Sequence, residues 1–237
     1  MKYTYIDPQP FITALTTDPL WYLALQPQLD KYFYSYDGAT ATQEFKEERD
    51  EVIKLVMELF DSGKILFGSD GEDFDKYRSK HIDTLVIHHP GRDADQTRSI
   101  IEVLHLLRLY ARYYAEKENS YYGKPIWSGH FYNGKMTFIT YHYLVYPDGM
   151  VEHILPDGAF VWQAGSLNMN SRSIAICLFA ELEHDRPTKA ALDATRSIIR
   201  TYPGMKVVGH CEVKPQTTCP GDQFLGVDGW KQDLIKN

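Results

Sequence analysis

Ile82-Asp83-Thr84-Leu85-Val86-Ile87-His88 is β-branched and almost continuously apolar, the pattern of a strand covered on both faces. Downstream, apolar residues at helical spacing (Ile100, Val103, Leu104, Leu107, Tyr110, Ala111, Tyr114) predict a helix from about Asp95 to Glu116, with Asp93 and Gln96 as a capping pair. Thr137–Tyr146, Pro147-Asp148-Gly149 and Met150–Leu155 read as a hairpin, and Ser173–Leu182 as a central strand. An amphipathic helix over Thr188–Tyr202 stops before Pro203-Gly204, and Lys206–Gly209 is a short strand running into His210. Strand and helix signals thus alternate, which predicts an α/β fold with a mixed central β-sheet flanked by helices.

Upstream the character changes. Gly68–Lys80 is acidic and glycine-bearing, a linker or surface loop, and it divides the chain into a mainly helical, aromatic-rich extension over 1–80 and a second domain over 81–237. Within the extension, Phe45, Val52, Ile53, Val56, Leu59 and Phe60 predict a helix from Thr42 to Asp61, with Thr40 and Gln43 as its capping box and Gly63 just past its end. Its charged residues Lys46, Glu47, Glu48, Arg49 and Asp50 read as a solvated face.

The 237 residues are 43% hydrophobic and 24% charged with a net charge of −7, which excludes fibrous and wholly disordered classes and leaves no basic field for nucleic acid or an anionic membrane. No apolar run reaches the roughly 18 residues of a membrane span, and Met1–Pro10 lacks the apolar core of a signal peptide, so synthesis and folding in the cytoplasm are expected. Three cysteines do not make a disulfide framework.

His88 and His210 close the first and last predicted strands, where side chains reach a shared crevice from rigid supports. Cys219 follows nine positions after His210 in a Pro- and Thr-rich loop. Two imidazoles and a thiolate suit Zn²⁺ and leave a fourth position for water. Spacing alone favours two hydrogen-bonded histidines and a buried thiol over a metal site.

The ordered segments IDTLVIHHP, TYHYLVYPDGMVEHIL, WQAGSLNMNSRSIAICL and VVGHCEVKPQTTCPGD, spanning Ile82 to Asp222, resemble the zinc-dependent N-acetylmuramoyl-L-alanine amidases of the amidase-2 type, a superfamily that includes phage-lysozyme-type amidases and peptidoglycan recognition proteins. The resemblance implies Zn²⁺ held by His88, His210 and Cys219, with Tyr141 as catalytic tyrosine and Thr217 helping to hold the oxyanion. It also implies a sugar–peptide groove near Trp162, Gln163, Asn168 and Asn170. The implied reaction is hydrolysis of the amide between N-acetylmuramic acid and the L-alanine of the stem peptide, with peptidoglycan or muropeptides as substrate. A non-catalytic peptidoglycan-binding module is the alternative; such proteins typically lose the cysteine, which is retained here.

Several positions depart from the family pattern. Gln163 stands where a histidine is expected, Ala175 where a glycine is, and Cys211 where an arginine is. Cys177 occupies the position of the catalytic glutamate in the recycling amidases, which places the chain with the tyrosine-using branch. His89 is expected to be a packing residue beside the ligands, His142 a core histidine, and Cys177 and Cys211 small buried hydrophobes. Tyr121, Tyr122, Trp127, His130 and Tyr132 read as a packed loop or a pocket rim. Residues 1–80 are open to two readings, a docking segment for a partner protein or part of the core. Delivery to the wall through a holin or a secretion system would fit the absence of an export signal.

Overall fold

In a computed structural model that describes residues 3–91 and 97–236, the chain divides into two units. One takes Met1–Glu72, Gln96–Gly129 and Met136–Phe138; the other takes Asp73–Asp95, His130–Lys135 and Ile139–Asn237. The units therefore differ from a single cut at residue 80. Residues 73–80 go with the sheet, and the helical segment after Thr97 goes with the N-terminal residues.

The first unit is helical: α1 (Gln9–Thr17), α2 (Gln43–Asp61) and α3 (Arg98–His105), which runs through a π-helical turn at Leu106–Tyr110 into α4 (Ala111–Ala115). Leu15, Trp21, Val52, Val56, Val103, Leu107 and Phe138 belong to its single apolar core. The expected α2 cap is displaced by two residues. Thr42 caps the helix, its Oγ1 accepting from Phe45 N at 3.2 Å, while Thr40 Oγ1 bonds Asp37 Oδ2 at 3.0 Å instead. Gly63 follows the helix at φ 67°, as expected of a C-terminal glycine. The expected solvated face of α2 fails at Arg49, which is 2% exposed; its Nε donates to Tyr32 O at 3.2 Å and its guanidinium lies 4.2 Å from the Tyr36 ring centroid. The Asp93–Gln96 capping pair lies outside the described residues.

The second unit is built on a five-stranded sheet. Its strands are β1 (Thr84–His88), β2 (Tyr143–Val145), β3 (Val151–His153), β4 (Ser173–Leu178) and β5 (Lys206–Gly209), in the order β3-β2-β4-β1-β5. β1 is parallel to β4 and β5, β2 is parallel to β4, and only β3 runs antiparallel. The expected long strand over 137–146 forms a ladder only at Tyr143–Val145. Helices α5 (Leu167–Arg172), α6 (Lys189–Arg200), α7 (His210–Val213) and α8 (Lys231–Ile235) complete the unit.

Strand alternation gives the two sheet faces different chemistry. Leu85 and Ile87 of β1, Ile174, Ile176 and Leu178 of β4 and Val145 of β2 pack with Ala191 and Ile198 of α6 and Leu234 of α8 in one apolar core. The opposite face presents Val86 and His88 beside Ala175 and Cys177, with His88 in register with Cys177.

Candidate metal and amidase site

Three parallel-sheet features converge at the carboxyl ends of β1 and β5. His88 is the last residue of β1, and His210 follows β5 directly as the first residue of α7. Cys219 is brought back by its loop, whose carbonyl at Cys219 accepts from Cys211 N at 2.7 Å. Two glycines make that return feasible. A Cβ on Gly209 would meet the Phe224 ring at 2.5 Å and Pro220 Cδ at 2.8 Å, and one on Gly221, at φ +119°, would meet Leu182 O at 1.8 Å. The loop is thus pressed against the strand end with no space for a side chain.

His88, His210 and Cys219 each offer one donor atom, and the three atoms lie within 4.8 Å of one another. His88 Nδ1 is 3.8 Å from Cys219 Sγ, close to the roughly 3.3–3.8 Å between two ligands of one tetrahedral ion with Zn–N and Zn–S bonds of about 2.0–2.3 Å. The two imidazoles are tilted by 56° with centroids 4.7 Å apart. His210 Nε2 is buried without a hydrogen-bond partner among the described residues, a cost that buried polar atoms in folded proteins rarely carry. Burial lowers the His210 pKa to about 4, so the ring is neutral at pH 7, the form that coordinates metal. Burial pushes the Cys219 thiol up to about 12; ionisation would have to come from a nearby cation. His89 N donates to Cys219 Sγ at 3.4 Å and favours that charge. The donor set therefore fits a tetrahedral divalent ion with one vacant position.

His89 itself turns away, as expected: its Nδ1 accepts from Leu182 N at 3.3 Å. His142 is a core histidine, 0% exposed, its Nε2–H donating to Ala159 O at 3.1 Å and its Nδ1 accepting from Ala175 N at 3.0 Å. Tyr141 is buried with its ring centroid 5.2 Å from that of His88. Burial first, then the neighbouring thiols and a hydrogen bond to Cys177, hold its pKa well above 10. Cys177 is buried as expected, but it is also the partner of the Tyr141 hydroxyl, a contact that strand pattern alone did not disclose. Cys211 is only half-buried, at variance with its expected burial. Thr217 Oγ1 accepts from Cys219 N at 3.2 Å, which keeps its hydroxyl at the base of the same loop.

The four expected groove residues separate. Gln163 is buried, with Oε1 2.5 Å from His88 Nε2 and Nε2 donating to Ser173 Oγ at 2.8 Å. Asn170 is buried too, its Oδ1 accepting from Gln163 N and Ala164 N at 3.2 and 2.7 Å. Trp162 is packed edge-on to Phe160 and Phe74, with centroids 4.8 and 5.8 Å away. Asn168 alone is exposed; it borders a cavity of about 500 Å³ shared with Thr84, Met169, Arg172, Lys206 and Val208, and one of about 460 Å³ shared with Tyr77, His81 and Arg172. Ser173 also belongs to the site through Gln163; its signal in the sequence is a serine at the first position of an otherwise apolar central strand. In the aromatic stretch, Tyr121 packs on Tyr113 and Tyr114, and His130 Nε2 lies 2.7 Å from Phe160 O.

Residues 78–222 match the family described as N-acetylmuramoyl-L-alanine amidase. The chain belongs to that family. It is a peptidoglycan amidase, and the matched residues hold His88, Tyr141, His210, Thr217 and Cys219. Solved structures similar to this amidase include the Ph2119 endolysin from the Thermus scotoductus MAT2119 bacteriophage, 26% identical, covering 67% of this chain and 88% of that one at a TM-score of 0.45. The N-acetylmuramoyl-L-alanine amidase LysC from Clostridium intestinale URNW is 20% identical over 66% and 87% of the two chains, at a TM-score of 0.46. Drosophila PGRP-LB is 20% identical over 71% and 86%, at a TM-score of 0.40. No curated protein matches the amidase. Among the described residues no helix is long and apolar enough to cross a membrane.

Proposed function

We propose that this amidase is zinc-dependent, with His88, His210 and Cys219 as the protein ligands. The observation that carries the reading is the convergence of those three donor atoms within 4.8 Å on the polar face of the sheet. A resonance-stabilised amide is a poor electrophile, so hydrolysis at neutral pH requires both an activated water and a stabilised oxyanion. Zn²⁺ in such a site supplies Lewis acidity and lowers the pKa of a coordinated water from about 15.7 to about 7.

The remaining work falls to the chain's own groups. Tyr141, held in its protonated form by burial, exchanges its hydrogen bond to Cys177 for one to the carbonyl oxygen as negative charge develops there. Its proton stays on the phenol throughout. Thr217, anchored through its accepting oxygen to Cys219 N, directs its own O–H toward the same oxygen. His89 N–H steadies the Cys219 sulfur. Asn168, the exposed one of the four groove residues, meets the substrate. Release to the wall by a holin or a secretion machine completes the reading.

The test is direct. Purified protein should carry about one zinc per chain and release free stem peptide from defined muropeptides, with activity removed by chelation and restored by Zn²⁺. Cys219→Ser should lose both metal and turnover. Tight muropeptide binding with no product by mass spectrometry would instead select the non-catalytic module.

A further inference from the structure

We infer that Gln163 is a positioning residue that decides which nitrogen of His88 carries the proton, and so which one offers its lone pair to the metal. The inference rests on the proposed role of His88 as a ligand, but the observation behind it is a separate hydrogen-bond chain.

The chain starts at an atom that can only accept. Met169 O receives Ser173 Oγ at 2.6 Å; two oxygens that close need a proton between them, and only the hydroxyl can supply it. Ser173 has one proton and has spent it. Toward Gln163, 2.8 Å away, Ser173 Oγ can therefore only accept, so the side of the Gln163 amide facing it is the NH₂. Rotating that amide by 180° would set two acceptors against each other. The carbonyl Oε1 must then face His88, 2.5 Å from Nε2. A carbonyl brings no proton, so Nε2 is the protonated nitrogen of His88. Nδ1 is left with a lone pair, and it is Nδ1 that lies 3.8 Å from Cys219 Sγ.

The amide cannot drift from this arrangement. Gln163 and His88 are 6% and 1% exposed, so bulk water does not compete. The backbone of Gln163 and Ala164 is clamped by Asn170 Oδ1 at 3.2 and 2.7 Å, and Asn170 is 1% exposed on α5. Residues that orient a metal-bound imidazole commonly account for a 10–100-fold difference in metal affinity. What this site requires of position 163 is a neutral group with one acceptor and one donor on opposite sides. Glutamine meets the requirement, and so does a histidine; methionine has the length and neither function.

Three variants and two readouts test the inference. Zinc affinity is measured by chelator competition with the metal alone, and the His88 tautomer by long-range ¹H–¹⁵N NMR of the metal-free protein. Wild type should show the Nε2–H tautomer. Gln163→Met should bind zinc 10–100-fold more weakly and show a mixed tautomer, while its thermal unfolding shows that the fold persists. Gln163→His should return the affinity to within a few-fold of wild type. Ser173→Ala, which removes the group that orients the amide, should show mixed tautomers with an intermediate affinity. Undiminished affinity and an unchanged tautomer in Gln163→Met, alongside loss of zinc in Cys219→Ser, would overturn the inference alone. Zinc binding that survives in Cys219→Ser and His88→Ala would overturn the ligand assignment beneath it.

Discussion

Burial and the Cys177 contact keep the Tyr141 pKa well above 10, so in the proposed mechanism Tyr141 is a donor whose proton is not for transfer. Tyr141→Phe should lower kcat by about 10²–10³-fold, the range for loss of one oxyanion donor, with zinc content unchanged, and the wild-type pH–rate profile should show no phenolic limb below pH 9. His142 makes a different kind of prediction. Both its nitrogens are committed, Nε2 as donor and Nδ1 as acceptor, and burial lowers its pKa from 6.5 to about 3. Charging it would set an N–H against the Ala175 N–H. The unfolded state takes up a proton near pH 6.5 that the folded state refuses, so the stabilisation is complete above pH 6.5 and is lost as pH falls toward 3, by about 1.4 kcal/mol per pH unit. His105 in the helical unit, lowered by burial to about 4, adds to the trend. Urea unfolding of His142→Gln between pH 6.5 and 4.5 should show a shallower pH slope than wild type, and an identical slope would refute the assignment. The apolar run around His142 sufficed to read it as a core residue, although the strand itself begins only at Tyr143. Such a pattern could not place Gln163, since spacing in a loop does not say which way a side chain turns.

At the scale of elements, a local pattern was legible wherever the partner surface was also local. β1, β4, α6 and β5 lie close to their expected positions because unbroken apolar runs and a Pro-Gly stop leave few alternatives. Thr40 and Thr42 are equally good caps in the sequence; the choice went to Thr42 because Asp37 occupies Thr40. Arg49 reads as surface from its neighbours and is buried only because Phe33, Tyr36 and the Tyr32 carbonyl lie over it. Arg49→Ala, which removes a buried stem together with a charge-assisted hydrogen bond, should cost about 2–4 kcal/mol of unfolding free energy, while Lys46→Ala should fall within about 0.5 kcal/mol of wild type. Chemical denaturation of the two variants separates them. Gly209 tests the other unit. A methyl group there meets Phe224 and Pro220 inside 3 Å, and since those residues flank Cys219, Gly209→Ala should cost about 1–3 kcal/mol and weaken zinc retention, as measured by metal content after dialysis.

For the molecule as a whole, the helical stripe of α3 was visible in the sequence, but its allegiance was not. Periodicity shows that Val103, Leu104, Leu107, Tyr110 and Tyr114 share a face and cannot show what covers it. They share one core with Leu15, Trp21, Val52 and Val56, so residues 1–72 and the α3–α4 segment are halves of the same unit. This bears on whether the N-terminal residues are a detachable docking segment. Deleting 1–72 would strip the cover from at least five large apolar side chains, each worth about 1.5–3 kcal/mol when buried, and leave them on a chain that still carries His88, His210 and Cys219. The truncated protein should therefore be expressed largely as aggregate, or bind a dye for exposed apolar surface, and a Val103→Lys, Leu107→Lys version of the truncation should be more soluble than the plain one. A plain truncation that is monomeric, binds zinc with wild-type affinity and still cleaves muropeptides would show instead that the N-terminal residues serve something other than the core, and would favour a docking segment for a partner protein.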